Sequence, residues 1–112
     1  EPADSTIGRT VVVTVDRPLG SAHPDYPEMR YELNYGYVEG IMAADGEWQD
    51  AYLLGLEEAV ASYEGRVIAV IQRRDDKETK WVVAPEGVDF SDEAIMRLTR
   101  FQEKYYDSWL ER

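Results

Sequence analysis

Cysteine is missing from this 112-residue chain, and histidine occurs once, as His23. Without thiols the protein can form neither a disulfide framework nor a thiolate metal site, and it has no cysteine nucleophile. The same scarcity argues against a zinc site, whose ligands are drawn largely from cysteine and histidine. Any metal ion bound by this chain would therefore depend on oxygen ligands.

Basic residues are scarce as well. Lys and Arg together number 12 against 23 Asp and Glu, which gives a formal net charge of −11. Such a surface is a poor partner for nucleic acid or an anionic membrane, because binding to either rests on basic groups that neutralise phosphates. An acidic protein that handles an anionic substrate needs cations to mediate, although solubility alone also explains the charge.

Long apolar runs are also missing, and the longest, Val67–Ile71, is far too short to span a membrane. No signal-peptide pattern opens the chain, so we expect a cytoplasmic protein. The length fits one domain over residues 1–112, in which residues 1–8 are expected to be frayed.

Stretches rich in β-branched and aromatic residues predict five strands. They are Val11–Val15, Arg30–Tyr37, Ala51–Leu54, Arg66–Arg73 and Thr79–Ala84. In the second stretch and just after it, Gly36 and Gly40 predict a bulge or a sharp bend, since glycine in a strand often marks one.

A single helix is predicted after the strands. Ser91 has the properties of an N-cap, and apolar residues then recur at spacings of three and four, which favours a helix over about residues 91–110. The residues of this helical face are Ala94, Leu98, Phe101, Tyr105 and Trp109. We therefore expect a mainly β fold, a small five-stranded antiparallel barrel with a C-terminal helix packed on it.

Three carboxylates, Asp45, Glu47 and Asp50, crowd into six residues between two predicted strands. Hard oxygen ligands of this kind suit Mg²⁺ or Mn²⁺, and a turn can point them to one side. The spacing differs from that of a calcium-binding EF-hand loop. The alternative interpretation is an exposed turn whose acids face water.

A second acidic group, Asp75, Asp76 and Glu78, occupies the next predicted hairpin turn. Two acidic turns that met at one end of a barrel would repel each other unless cations lay between them. Lys80 follows Glu78 by two residues on the same strand face, where it could contact a phosphoryl oxygen or form a salt bridge to Glu78.

Four segments in order, NYGY, DGEWQD, DDKETKWVVAP and FQEKYYD, resemble a shortened form of the soluble, Mg²⁺-dependent inorganic pyrophosphatase family. The similarity runs from about Tyr31 to Asp107. It implies an OB-like barrel, hydrolysis of pyrophosphate or a related phosphoanhydride, Mg²⁺ as cofactor with Mn²⁺ as a substitute, and a homo-oligomer.

The resemblance also implies roles for individual residues. The metal ligands would be Asp45, Asp50, Asp75, Asp76 and Glu78. The catalytic residues would be Glu47 and Asp50, because Glu47 stands where the family has the aspartate associated with activating water. The contacts to phosphate would come from Arg17, Tyr35, Lys80 and Tyr105.

The chain departs from the family pattern at several positions. Glu47 and Glu78 stand where the family has Asp, and Tyr106 stands where it has Lys. The family's segment before NYGY carries a Lys, a Glu and an Arg used in the site. Here that segment is compressed, and Arg17 is a candidate to replace the Arg alone. A second hypothesis is therefore a catalytically weakened domain that binds metal and a phosphorylated ligand or a protein partner. A third is a β-barrel interaction domain with solvent-facing acidic turns.

Overall fold

The computed structural model describes residues 6–44, 46–74 and 78–112. Its strands and helices are, in chain order, β1 (Thr10–Arg17), β2 (Asn34–Met42), β3 (Trp48–Leu53), β4 (Ser62–Arg73), β5 (Thr79–Ala84), α1 (Asp92–Leu98), α2 (Arg100–Glu103) and β6 (Ser108–Glu111). The five predicted strands correspond to β1–β5, and the predicted bounds of β5 agree with the structure. β2 begins four residues later than predicted and runs on to Met42.

Five strands close into a barrel in the order β1-β2-β3-β5-β4, and β1 pairs with β4 to complete the circle. This arrangement confirms the mainly β, barrel-forming fold. One pairing differs from the expected antiparallel pattern, because β3 and β5 run parallel. After β3 the chain crosses to the far side of β5, forms β4 there and returns as β5. The barrel is therefore mixed.

All five strands bury one face, and β3, β4 and β5 bury the opposite face as well. One face fills the barrel with side chains from all five strands, including Val13, Val38, Leu53, Val67 and Val83. The opposite face of β3, β4 and β5 packs under the helices through residues that include Tyr52, Ile71, Val82, Ile95 and Phe101. Because successive strand residues point to opposite sides, Asp50 and Lys80 lie on the same face as Tyr52 and Val82. That face carries the candidate site.

Both predicted glycine irregularities in β2 are present. A Cβ on Gly36 would lie 1.8 Å from the Thr14 carbonyl oxygen, so only glycine permits the observed approach of β1 to β2. The β2–β3 register shifts between Val38 and Met42, around Gly40, whose φ is +92°. These features bend the sheet and allow it to close.

The prediction of one helix over residues 91–110 is wrong in its second half. α1 ends at Leu98, α2 ends at Glu103, and residues 108–111 form β6, which pairs with β4. Ser91 does cap α1, since its hydroxyl accepts a hydrogen bond from the Ala94 backbone N–H. Backbone hydrogen bonds to the open edge of β4 outweigh the helical spacing of the later aromatic residues. None of the helices in the described ranges is long and apolar enough to cross a membrane.

Candidate functional site

A lysine and two carboxylates meet where β3 and β5 begin. The Lys80 ammonium donates to Asp50 Oδ2 and to Glu78 Oε1, with both N–O distances 2.7 Å. Because β3 and β5 are parallel and Ala51 pairs with Trp81, their first residues lie side by side. The Lys80 side chain is buried, whereas the Asp50 and Glu78 side chains are about one-third exposed, at 32% and 34%. The two carboxylates therefore remain accessible to solvent, whereas the ammonium that pairs with them is buried.

Burial opposes the charged form of Lys80, but the neighbouring Tyr35, Asp50 and Glu78 outweigh that cost and raise the pKa of its ammonium. The ammonium nitrogen lies 5.6 Å from the centroid of the Tyr35 ring. Burial also raises the pKa of the Tyr35 phenol, which keeps its proton at neutral pH. Lys80 and Tyr35 are thus two neighbouring hydrogen-bond donors, of the kind that can bind a phosphoryl oxygen.

Arg73, at the end of β4, supplies a second buried cation to the same region. Its Nη1 lies 3.8 Å from Glu78 Oε1, and its Nη2 and Nε donate to the two carboxylate oxygens of Glu103 at 2.7 and 3.1 Å. Glu103 also accepts from the Tyr52 hydroxyl at 2.7 Å and from Ser108 Oγ at 2.8 Å. Arg73 therefore connects α2 to the site carboxylates.

Electrostatics within this ion pair favour both charged forms. Burial raises the pKa of Glu103, but hydrogen bonds from Arg73 and Tyr52 more than offset it, so that the pKa lies below its ordinary value. Burial lowers the pKa of Arg73, and the contacts to Glu103 reverse that effect and raise it. Neither Arg73 nor Glu103 was predicted from the sequence as a site residue. For Arg73, the available sequence signal was its place in the same alternation as the buried residues of β4, which indicates a buried charge.

Of the phosphate-contacting residues implied by the resemblance, three lie in one connected group and Tyr105 lies apart from them. Arg17 lies near the Tyr31 phenol, where its charge partly offsets the rise in the Tyr31 pKa caused by burial, and the Tyr31 ring stacks 5.6 Å from that of Tyr35. Arg17, Tyr35 and Lys80 are thereby joined through a row of aromatic contacts. Tyr105 is 66% exposed and lies beside Lys104, whose ammonium is 5.3 Å from its ring centroid. The contact of Tyr105 with phosphate stays a prediction.

Tyr106, rather than Tyr105, packs against the charged network. Its ring centroid is 3.6 Å from the Arg73 guanidinium carbon, a cation–π distance. The resemblance places the family's lysine at this position. The aromatic ring stabilises a cation that is already present instead of supplying a new one.

The remaining predicted ligands lie in the turns. Glu47 is an exposed residue of the turn before β3, three positions ahead of Asp50. Asp45, Asp75 and Asp76 lie outside the described residues. Over residues 6–44, 46–74 and 78–112, no group of three or more acidic or histidine side chains is close enough to hold a metal ion. Asp50 and Glu78 do fit Mg²⁺ in their chemistry, because this ion is commonly bound by one or two carboxylates together with substrate phosphates.

Comparison with known proteins gives a likeness of fold. No protein-family model matches the chain, and no curated protein matches it. Among solved structures, the inorganic pyrophosphatase from Ehrlichia chaffeensis is similar with a TM-score of 0.70 at 15% identity, covering 94% of this chain and 86% of that one. The inorganic pyrophosphatase from Neisseria gonorrhoeae is similar with a TM-score of 0.65 at 21% identity, covering 94% of this chain and 82% of that one. For the inorganic pyrophosphatase from Coxiella burnetii the TM-score is 0.64 at 17% identity, covering 94% of this chain and 85% of that one. The chain thus has a pyrophosphatase-like fold.

Proposed function

We propose that this protein is a Mg²⁺-dependent hydrolase of inorganic pyrophosphate or a related phosphoanhydride. The observation that carries the proposal is the meeting of Asp50, Glu78 and Lys80 at one end of the sheet. A carboxylate pair held by a buried ammonium can serve both a divalent cation and a phosphoryl oxygen. The pyrophosphatase-like fold supports the same assignment at the level of architecture.

The proposed metal ligands are Asp45, Asp50, Asp75, Asp76 and Glu78, with Mg²⁺ or Mn²⁺ as the ion. When bound, the ion would neutralise substrate charge and lower the pKa of a coordinated water. The protein would supply carboxylate oxygens to the ion at a place where nearby cations already offset part of the negative charge. Asp50, Glu78 and Glu103 carry three negative charges against two positive charges on Lys80 and Arg73.

The chain's own groups would act on the two ends of the substrate. Glu47, with Asp50, would orient the attacking water and accept its proton as the oxygen adds to phosphorus. The bond from phosphorus to the bridging oxygen then breaks and releases the second phosphate. Donors on Arg17, Tyr35, Lys80 and Tyr105 would hold the phosphate oxygens as charge develops on them.

The test is phosphate release from pyrophosphate in the presence of Mg²⁺. Asp50→Asn preserves size but removes a charge that both a metal and Lys80 would use, so we expect at least a hundredfold lower kcat/KM, roughly the loss typical for one electrostatic catalytic group. Asp89→Asn removes a carboxylate that is also paired with a cation, Arg112, but lies outside the site, and it should leave the rate unchanged. An Asp50→Asn variant that folds and matches the wild-type rate would end this proposal.

A second candidate is a domain that binds metal and a phosphorylated ligand without turnover. It is favoured by Arg73, whose guanidinium occupies the neighbourhood of Glu78, and by the replacement of a family lysine with Tyr106. Calorimetry with Mg²⁺ and methylenediphosphonate, a non-hydrolysable pyrophosphate analogue, separates the two candidates. Binding without phosphate release from pyrophosphate would favour this second function.

A further inference from the structure

A cavity of about 640 Å³ lies between the segment that follows β1 and the C-terminal end of α2. Binding sites for small organic molecules typically measure about 300–1,000 Å³, so the cavity is of ordinary size for one. Its walls are formed by residues other than Asp50, Glu78 and Lys80. Tyr105 on its wall is a proposed phosphate contact, but the other residues that line the cavity have no role in the proposed hydrolysis of pyrophosphate.

Exposed aromatic side chains form part of the walls of this cavity. Tyr26, Tyr105 and Tyr106 line it, and each is 46–66% exposed, which is unusual for so large a ring. The His23 imidazole lies 5.1 Å from the Tyr26 ring and stacks nearly parallel to Tyr31 at 5.9 Å. Exposed rings gathered around a cavity suit a flat aromatic ligand, which stacks on them at little cost in side-chain entropy.

The cavity also differs from the rest of the surface in its charge. Arg30 and Lys104 on its walls balance Glu28 and Glu32, so that the formal charge is close to zero on a chain whose total is −11. An anionic ligand would meet strong repulsion over much of this protein. That repulsion is largely cancelled at this cavity, and Arg30 and Lys104 could pair with the ligand directly.

Tyr106 and Tyr31 connect the cavity to the candidate phosphate site. Tyr106 lines the cavity and also packs 3.6 Å from the Arg73 guanidinium carbon. Along a second route, His23 stacks on Tyr31, Tyr31 stacks on Tyr35, and Tyr35 neighbours Lys80. Arg73 in turn lies 3.8 Å from Glu78, so the Tyr106 wall of the cavity adjoins the candidate phosphate site. An anion attached to an aromatic group that stacks on Tyr106 would therefore lie next to that site.

We propose that the cavity binds the purine base of a nucleoside di- or triphosphate. The inference rests on the proposed function for the phosphate end of that ligand and names its substrate class. The reaction would add water to the terminal phosphorus and break its bond to the bridging oxygen. Its products would be inorganic phosphate and a nucleotide shorter by one phosphate.

Calorimetry with Mg²⁺ tests the inference without turnover, by comparing methylenediphosphonate with its adenosine and guanosine 5′-esters. We expect at least one ester to bind about tenfold or more tightly than the bare diphosphonate, the gain typical of stacking one base on aromatic rings. Tyr26→Ala should remove most of that gain. Tyr26→Phe keeps the ring and should retain it, as should Trp109→Ala, which removes an exposed aromatic residue on β6.

The outcomes separate this inference from the proposed function. Equal affinities for the diphosphonate and both esters, or no binding of either ester, would overturn the inference, whatever the rate of pyrophosphate hydrolysis. A tight, Tyr26-dependent ester complex would support it even if neither pyrophosphate nor ATP released phosphate. In that case the hydrolytic function would fail and the cavity would stand as a nucleotide-binding site.

Discussion

At the scale of single residues, Lys80 forms the salt bridge to Glu78 that its sequence position allowed, and a second one reaches Asp50. An ammonium group has three N–H donors, and these carboxylates take two of them. The ion pairs are therefore compatible with the proposed contact between Lys80 and a phosphate oxygen. They also hold together two carboxylates that would otherwise repel each other.

Arg73 and Glu103 show where residue-level prediction from the sequence ends. Arg73 stands at a strand end beside a charged turn, where solvent exposure is the normal expectation, yet it is buried because Glu103 arrives from a distant helix. Nothing in local spacing indicates that meeting, which depends on how α2 packs. By contrast, Glu78 and Lys80 lie two apart in the chain, so strand periodicity alone brought them together.

The buried ion pair yields a stability prediction. Glu103→Gln removes the carboxylate that Arg73 contacts through Nη2 and Nε and leaves the buried guanidinium its longer contact with Glu78. We therefore expect a loss of about 3 kcal/mol in the free energy of unfolding at neutral pH, the lower end for a broken buried ion pair. Urea denaturation measures the change. The matched control is Asp107→Asn, which breaks an exposed pair with Arg74 and should cost about 1 kcal/mol or less.

The stability difference between wild type and Glu103→Gln should depend on pH. The pKa of Glu103 is lower in the folded protein, so its stabilisation is complete above the unfolded value, about 4.3, and disappears as the pH falls through the folded value. The difference between wild type and Glu103→Gln should therefore narrow in acid. A difference that is small at neutral pH, or that stays constant into acid, would show that the pair does not stabilise the fold through charge.

At the scale of elements, hydrophobic spacing located the strands better than the helix. The run within β4 and the stretch forming β5 are continuous and β-branched, which restricts the alternatives. The C-terminal pattern fits a helix as far as Phe101, which does pack against the sheet. Beyond Glu103 the chain meets the free edge of β4, and Trp109 and Leu110 pair with Gln72 and Ile71. A strand edge formed elsewhere in the chain cannot be read from local periodicity.

Closure of β1 on β2 depends on one glycine. In Gly36→Ala the added methyl would lie 1.8 Å from the Thr14 carbonyl oxygen, so the strands must separate. We expect a loss of roughly 3 kcal/mol or more, at the severe end of single substitutions. The melting temperature and the circular dichroism spectrum measure it.

Gly87→Ala is the control for backbone effects. Gly87 has φ +83°, and an alanine methyl at this position would enter open space, so only the left-handed conformation is strained, at a cost of about 1–2 kcal/mol. If the two alanine variants are equally stable, the close approach of β1 to β2 is not what requires glycine at Gly36.

At the scale of the whole molecule, the order of motifs predicted the barrel, whereas the order of the strands in the sheet could be determined only from the structure. A parallel β3–β5 pair requires the chain to cross over before β4, and no local residue pattern encodes which edge a returning strand joins. Yet that pairing brings Asp50 beside Lys80. The composition of this cluster was therefore predictable from sequence, but its assembly depends on long-range topology.

The net charge of −11 makes the response to divalent cations a test of the whole molecule. If carboxylates share a Mg²⁺ ion in the folded state, the ion stabilises that state by about 2.7 kcal/mol at a hundred times its dissociation constant. We therefore expect the melting temperature to rise by several degrees and to saturate with increasing MgCl₂. NaCl at matched ionic strength controls for screening of the overall negative charge.

Saturation, rather than the rise itself, distinguishes binding from screening. Screening weakens repulsion among all the acidic groups and changes smoothly with ionic strength, whereas a site fills at a defined concentration. Asp50→Asn should lose the saturable part of the Mg²⁺ response and keep the part that NaCl reproduces. Identical responses to MgCl₂ and NaCl would instead support acidic turns that face solvent, and the barrel would then have no divalent-cation site.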